Sequence, residues 1–137
     1  MKQQSGFTLI ELIAVIVILG IIAAVAVPRF VDLSDAAREA AVDGVAGNLA
    51  SASALNYAAA VATDAGIQDA PTPTTIENCT DAAALLEGGA LPANYEIASL
   101  TVGDGANVTC TVHSPNVANT EADANFTVYG VAAPTTP

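Results

Sequence analysis

The chain has no tryptophan, and only three tyrosines and three phenylalanines among its 137 residues. That shortage excludes a core built on large rings and predicts a modest one, which at this size needs a staple or a neighbour. Basic residues are as scarce: Lys2, Arg29 and Arg38 are the whole set. From residue 39 onward the charge has one sign, carried by Glu39, Asp43, Asp64, Asp69, Glu77, Asp81, Glu87, Glu96, Asp104, Glu121 and Asp123, and the formal net charge is −11. A surface without cations is a poor partner for phosphate backbones, so no nucleic acid is expected. It repels other acidic surfaces at low salt and tolerates a saline exterior or divalent cations; its plainest role is solubility.

The groups that catalysis uses are equally sparse. His113 is the only histidine, and no Ser-His-Asp set, Cys/His metal cluster or phosphate-cradling glycine loop is present. No enzymatic activity and no cofactor are expected, and His113 reads as a solvated residue on the polar face of a strand. Asp104 between two glycines, with Glu121 and Asp123, supplies hard oxygen donors that suit calcium but are too few for a site, so no metal is expected. Asn78-Cys79-Thr80, Asn107-Val108-Thr109 and Asn125-Phe126-Thr127 match the glycosylation sequon and read as accidental in an Asn/Thr-rich chain.

What is present in abundance is apolar surface, at 53% of residues, and much of it sits near the start. Phe7 to Val27 is an apolar run whose polar members are Thr8 and Glu11. As a helix it would span about 31 Å, close to the thickness of a hydrocarbon core. The polar stretch before it carries one positive charge, Lys2, which favours holding that end in the cytoplasm. A secretory signal peptide fits poorly, because the run is too long and no small-x-small site precedes a polar start. Glu11 needs an explanation: a carboxylate inside an apolar run costs several kcal/mol, on the order of the penalty for an unpaired buried charge, unless it snorkels or finds a partner. A freed N-terminal amine on a neighbouring subunit would serve.

Gly6-Phe7-Thr8-Leu9-Ile10-Glu11-Leu12-Ile13 resembles the processing site of class III signal peptides in type IV prepilins and pseudopilins. The resemblance implies cleavage after Gly6 by a prepilin peptidase, N-methylation of Phe7, and a role for Glu11 in subunit registration beside the new amine. Gly20 and Pro28 resemble the family's pair bracketing a helix stretch that melts on assembly. Independently, Pro28 lacks an N–H and clashes with the preceding turn, so a kink or opening over residues 24–28 is expected. Pro28 to Arg38 and Ala52 to Tyr57 further resemble the mannose-sensitive haemagglutinin subgroup of pilins, although the short, cation-free head gives no basis for carrying over sugar binding.

After Pro28 the pattern turns amphipathic. Phe30, Leu33, Ala37, Ala41, Val45, Leu49, Ala52, Leu55 and Ala59 recur at three- and four-residue steps and predict one buried helical stripe as far as residue 62. Thr63 to Pro92 reads as a connecting loop, with helical turns over Asp81 to Glu87, capped by Thr80 and ended by Gly88-Gly89. Strands are expected at Tyr95–Val102, Ala106–His113 and Ala124–Val131, the first two joined as a tight hairpin at Gly103-Asp104-Gly105, with a polar loop at 114–123. Alternation turns Cys110 inward. If the region is exported, Cys79 and Cys110 pair naturally as a disulfide, with two buried thiols as the alternative.

The organisation expected is therefore a leader at 1–6, a hydrophobic transmembrane and assembly helix at 7–29, its amphipathic continuation at 30–62, and a head at 63–137. The fold class is α+β, a pilin-type long helix on a small antiparallel sheet. By resemblance the chain is a homopolymeric filament subunit for adhesion, biofilm formation or motility, held in the inner membrane before its assembly machinery adds it to an extracellular pilus. The rivals are the major pseudopilin of a type II secretion system and a non-polymerising surface module. Glu11 argues against the last, and the cysteine pair against the pseudopilin.

Overall fold

The computed structural model describes residues 6–114 and 122–133, and at residues 30–32 the backbone alone. Leader residues 1–5, Glu121 and most of the expected 114–123 loop lie outside the described residues. The elements in chain order are helix α1 (Leu9–Asp64), a 3-10 helix (Cys79–Leu85), and strands β1 (Glu96–Ile97), β2 (Asn107–Ser114) and β3 (Ala122–Tyr129). The architecture is α+β, a long N-terminal apolar helix with a small antiparallel sheet. Two units divide the chain, Met1–Ala37 and Arg38–Pro137.

The first unit is helical from Leu9. Leu, Ile, Val and Ala fill it, and with so few polar side chains nothing competes with the backbone for its hydrogen bonds. Helical assignment continues through Pro28. Having no N–H, that proline leaves the Ala24 carbonyl without its usual i+4 donor.

The second unit holds the core. Val42, Ala46, Leu49 and Ser53 of α1 are buried at steps of four, three and four, with Val45, Ala50, Tyr57 and Ala60 half-buried beside them. This differs from the expected stripe. Val45 and Leu49 belong to both faces, but Leu33 is 66% and Leu55 70% exposed, and Ala37 and Ala41 are exposed too. The side chain of Phe30 lies outside the described residues. The physical reason is composition: alanine lies all round this part of α1, so periodicity alone cannot rank adjacent faces, and the bulk of the sheet decides.

The sheet has order β1-β2-β3, antiparallel throughout. In β2, Cys110 and Val112 point into the core, and in β3 Ala124, Phe126 and Val128 do so. Cys79 and Cys110 are joined by a disulfide with Cα atoms 5.8 Å apart, tying the 3-10 helix to the middle of β2. Closing a loop of that length is worth roughly 3–4 kcal/mol in the chain-entropy account, which suits a core with few rings.

The expected first strand is largely replaced. Only Glu96 and Ile97 pair with β2, opposite His113 and Val112. Ala98 N still donates to Thr111 C=O of β2 (3.0 Å), and beyond it the chain joins the connecting segment: Leu100 C=O accepts from Cys79 N (2.9 Å), and Val102 N donates to Glu77 C=O (2.8 Å). The tight hairpin is therefore corrected to a local turn, closed by Ala106 N to Gly103 C=O (3.0 Å) and held by Gly130, whose N–H donates to Ala106 C=O (2.8 Å). A Cβ at Gly130 would fall inside the Gly103 carbonyl. Asp104 Oδ1 in this turn accepts from Ala132 N (2.9 Å), fastening the segment just after β3 to it.

The short helix is also re-bounded. It is a 3-10 helix over Cys79–Leu85 where helical turns were expected over 81–87, and its cap is Asn78 rather than Thr80. Asn78 Oδ1 accepts from Thr80 N (3.1 Å) while Asp81 Oδ2 accepts from Asn78 N (2.8 Å), a reciprocal capping box. Gly88 and Gly89 follow with φ of 96° and 71°, values that suit residues lacking a Cβ.

Candidate functional site

The functional residues expected from sequence cluster at the start of α1. Gly6, Phe7 and Thr8 precede the helix in non-helical, exposed chain. A peptidase needs an accessible bond, and the residues on both sides of the Gly6–Phe7 bond are exposed. Helix begins one residue past Thr8, and the reason is local. Thr8 N donates to Glu11 Oε2 (2.9 Å), Thr8 Oγ1 donates to the same oxygen (2.6 Å), and Glu11 N reaches Thr8 Oγ1 at 3.4 Å. This is a capping box in the Thr-x-x-Glu spacing, which satisfies orphan donors at the helix start.

Glu11 therefore has a partner within its own chain, a use that sequence reasoning missed. The signal was present: Thr8 stands three residues ahead of a glutamate at the edge of an apolar run. Both contacts use Oε2, so Oε1 has no partner among the described residues and retains its acceptor capacity.

Behind the cap, every leucine, isoleucine, valine and phenylalanine from Phe7 to Val27 is exposed, from 45% at Val15 to 86% at Phe7. Among the described residues one helix is long and apolar enough to cross a membrane. Gly20 lies in this stretch with open space where a Cβ would stand, so its own chain imposes no need for glycine there. Pro28 follows eight residues on.

Elsewhere the polar groups are engaged structurally. Asp104 clamps Ala132, Asp123 Oδ1 lies 2.7 Å from His113 Nδ1, and Asn78 is occupied by its cap and by Ser99 and Leu100. Among the described residues no group of three or more His, Cys, Asp or Glu side chains is arranged to hold a metal ion.

Residues 1–27 match the family model described as the prokaryotic N-terminal methylation motif. Over 53 residues the chain is 58% identical to the type IV narrow pilus major component PilA5 of Thermus thermophilus, covering 39% of this chain and 46% of that one. It is 51% identical over 43 residues to the type II secretion system core protein G of Pseudomonas aeruginosa, covering 31% and 30%. It is also 59% identical over 32 residues to a fimbrial protein of Pseudomonas aeruginosa, covering 23% and 21%. The match thus spans less than half the length of each relative. No solved structure matches the chain. By its match to the methylation-motif model, its exposed apolar helix and its likeness to a type IV pilus component, a fimbrial protein and a type II secretion core protein, the N-terminal part of this chain is similar to that of type IV pilins.

Proposed function

We propose that the chain is a structural subunit of a type IV pilus, made as a precursor with residues 1–6 as leader. The observation that carries this reading is that every leucine, isoleucine, valine and phenylalanine from Phe7 to Val27 is exposed, directly behind an accessible Gly6–Phe7 bond. So much apolar area is stable only in lipid or against other helices. A subunit that passes from inner membrane to filament meets both surroundings in turn. In this reading a prepilin peptidase cuts after Gly6 and methylates Phe7. The subunit has no catalytic activity of its own, and it polymerises through α1 with the help of assembly machinery in the membrane. Gly20 and Pro28 bracket the stretch that opens on assembly. Within the pilins, the Pro28–Arg38 and Ala52–Tyr57 segments favour the mannose-sensitive haemagglutinin type.

Glu11 has two duties in this scheme. Oε2 caps its own helix, while the uncommitted Oε1 receives the amine of an adjacent subunit. Glutamine at the third helical position also completes a capping box but carries no charge, so two variants separate the duties. Glu11→Ala and Glu11→Gln are both expected to insert in the membrane and to lower the number of filaments, counted by electron microscopy. Normal piliation by Glu11→Gln would show that capping is the residue's whole contribution.

A second reading, the major pseudopilin of a type II secretion system, is favoured by the likeness to core protein G. Intact-mass spectrometry of material sheared from cells decides between them. A subunit beginning at methylated Phe7 and lighter by two hydrogens for the disulfide, recovered from surface filaments, supports the pilus. The same processed form confined to the cell envelope supports the pseudopilin.

A further inference from the structure

Tyrosine is scarce in this chain, with three copies, yet two of them are brought ring to ring. Tyr57, near the end of α1, and Tyr129, the last residue of β3, stack with centroids 5.1 Å apart and planes inclined by 21°. The backbone holds them there. Ser53 lies one turn before Tyr57 on the same helical face, and its Oγ accepts from Tyr129 N at 2.9 Å. Both tyrosines are half-buried. Tyr57 also lines an open cleft of about 270 Å³, shared with Val61, Asp64, Pro73 and Asp104, which leaves that ring open to solvent from one side.

A buried tyrosine usually gives its hydroxyl a hydrogen-bond partner. Here neither phenol has one among the described residues, and both oxygens reach solvent. Phenylalanine would stack as well, so packing leaves the two hydroxyls unexplained. Facing phenols with free O–H groups share a one-electron chemistry. Each gives an electron to an oxidant and its O–H proton to water, and the phenoxyl that results carries spin on the ring carbons ortho to oxygen. Two such radicals held side by side couple at those carbons, because a preorganised pair reacts at an effective concentration far above that of separate molecules. The hydrogens on the coupled carbons then move to the oxygens, and both phenols re-form.

We propose that Tyr57 and Tyr129 are a site of oxidative cross-linking, at which a haem peroxidase with hydrogen peroxide joins the two rings by a carbon–carbon bond. The peroxide takes two electrons and two protons and leaves as two waters, so the chain loses two hydrogens. The new bond ties α1 to the end of β3, as the Cys79–Cys110 disulfide ties the 3-10 helix to β2. Single chains carry the reaction, so it does not depend on the filament reading.

The test treats the full chain in dilute detergent micelles with a haem peroxidase and hydrogen peroxide, followed by intact-mass spectrometry and fluorescence. The expected product is a monomer lighter by two hydrogens than the untreated, disulfide-bonded chain, with the blue emission of dityrosine. A protease that cuts after acidic residues is expected to release Tyr57 and Tyr129 in one linked pair of peptides. Tyr57→Phe and Tyr129→Phe should each abolish this product, and Tyr95→Phe should leave its yield unchanged. Neither substitution in the pair removes a hydrogen bond among the described residues, and far-ultraviolet circular dichroism checks that each variant is folded. No loss of two hydrogens, a link to Tyr95, products that are all dimeric, or the same monomeric product from Tyr57→Phe would each overturn the proposal.

Discussion

At the scale of single residues, the most consequential side chain in the head is one that composition disguises. Ser53 is fully buried, the one buried polar side chain among the described residues, and its Oγ accepts from Tyr129 N at 2.9 Å. β3 is an edge strand, so the Tyr129 N–H at its end would otherwise have no partner inside the core. Beside this contact Tyr57 and Tyr129 stack with ring centroids 5.1 Å apart. Ser53→Ala keeps the helix and loses the acceptor, leaving a part-buried N–H unsatisfied at a cost of about 1 kcal/mol, the low end for an unmade hydrogen bond. Urea unfolding followed by the near-ultraviolet dichroism of the stacked tyrosines measures that loss. An unchanged midpoint would mean that water reaches the N–H. Nothing in an Ala/Ser-rich run distinguishes this serine from Ser51, which is exposed; the difference arises only where the end of β3 meets the helix.

At the scale of elements, the face that α1 turns to the sheet is open to a paired test. Val42 is fully buried while Leu55 is 70% exposed, although leucine is the larger and more hydrophobic residue. In the detergent-solubilised monomer Val42→Ala is therefore expected to cost about 2 kcal/mol, and Leu55→Ala to stay within about 0.5 kcal/mol. The reverse order in chemical denaturation would restore the stripe through Leu33 and Leu55. The long helix itself was legible, because an apolar run followed by a three-and-four pattern has no rival reading. The strands around Cys110 and Phe126 were legible from alternation, and the two cysteines from export. The path of residues 99–102 was not. Their alternation suits any strand partner, and the choice of Glu77 and Cys79 over β2 depends on the disulfide and on Gly130 admitting the Gly103 carbonyl. The residues proposed for assembly stood out because glycine, glutamate and proline are anomalies in an apolar run. The capping role of Thr8 was hidden by the attention Glu11 attracts as an isolated charge.

At the scale of the whole molecule, the charge distribution sets how assembled copies meet one another. Glu39, Asp43, Asp64, Glu77, Glu87, Glu96 and Asp123 are all exposed, and no lysine or arginine lies beyond residue 38. In the filament reading Lys2 leaves with the leader and α1 is turned to its neighbours, so the outer surface carries acids almost alone. Two such filaments repel over a distance set by screening, with a Debye length of about 30 Å at 0.01 M salt and about 8 Å at 0.15 M. Sheared filaments are therefore expected to stay dispersed at low salt and to bundle as salt rises, with Mg²⁺ acting at far lower concentration than Na⁺ because a divalent ion neutralises two carboxylates. Light scattering across a salt series reads this directly. Bundling that is independent of salt would mean that the acids face inward between subunits or are covered, and the outer surface would then have to be sought on the Thr- and Asn-bearing face of the sheet.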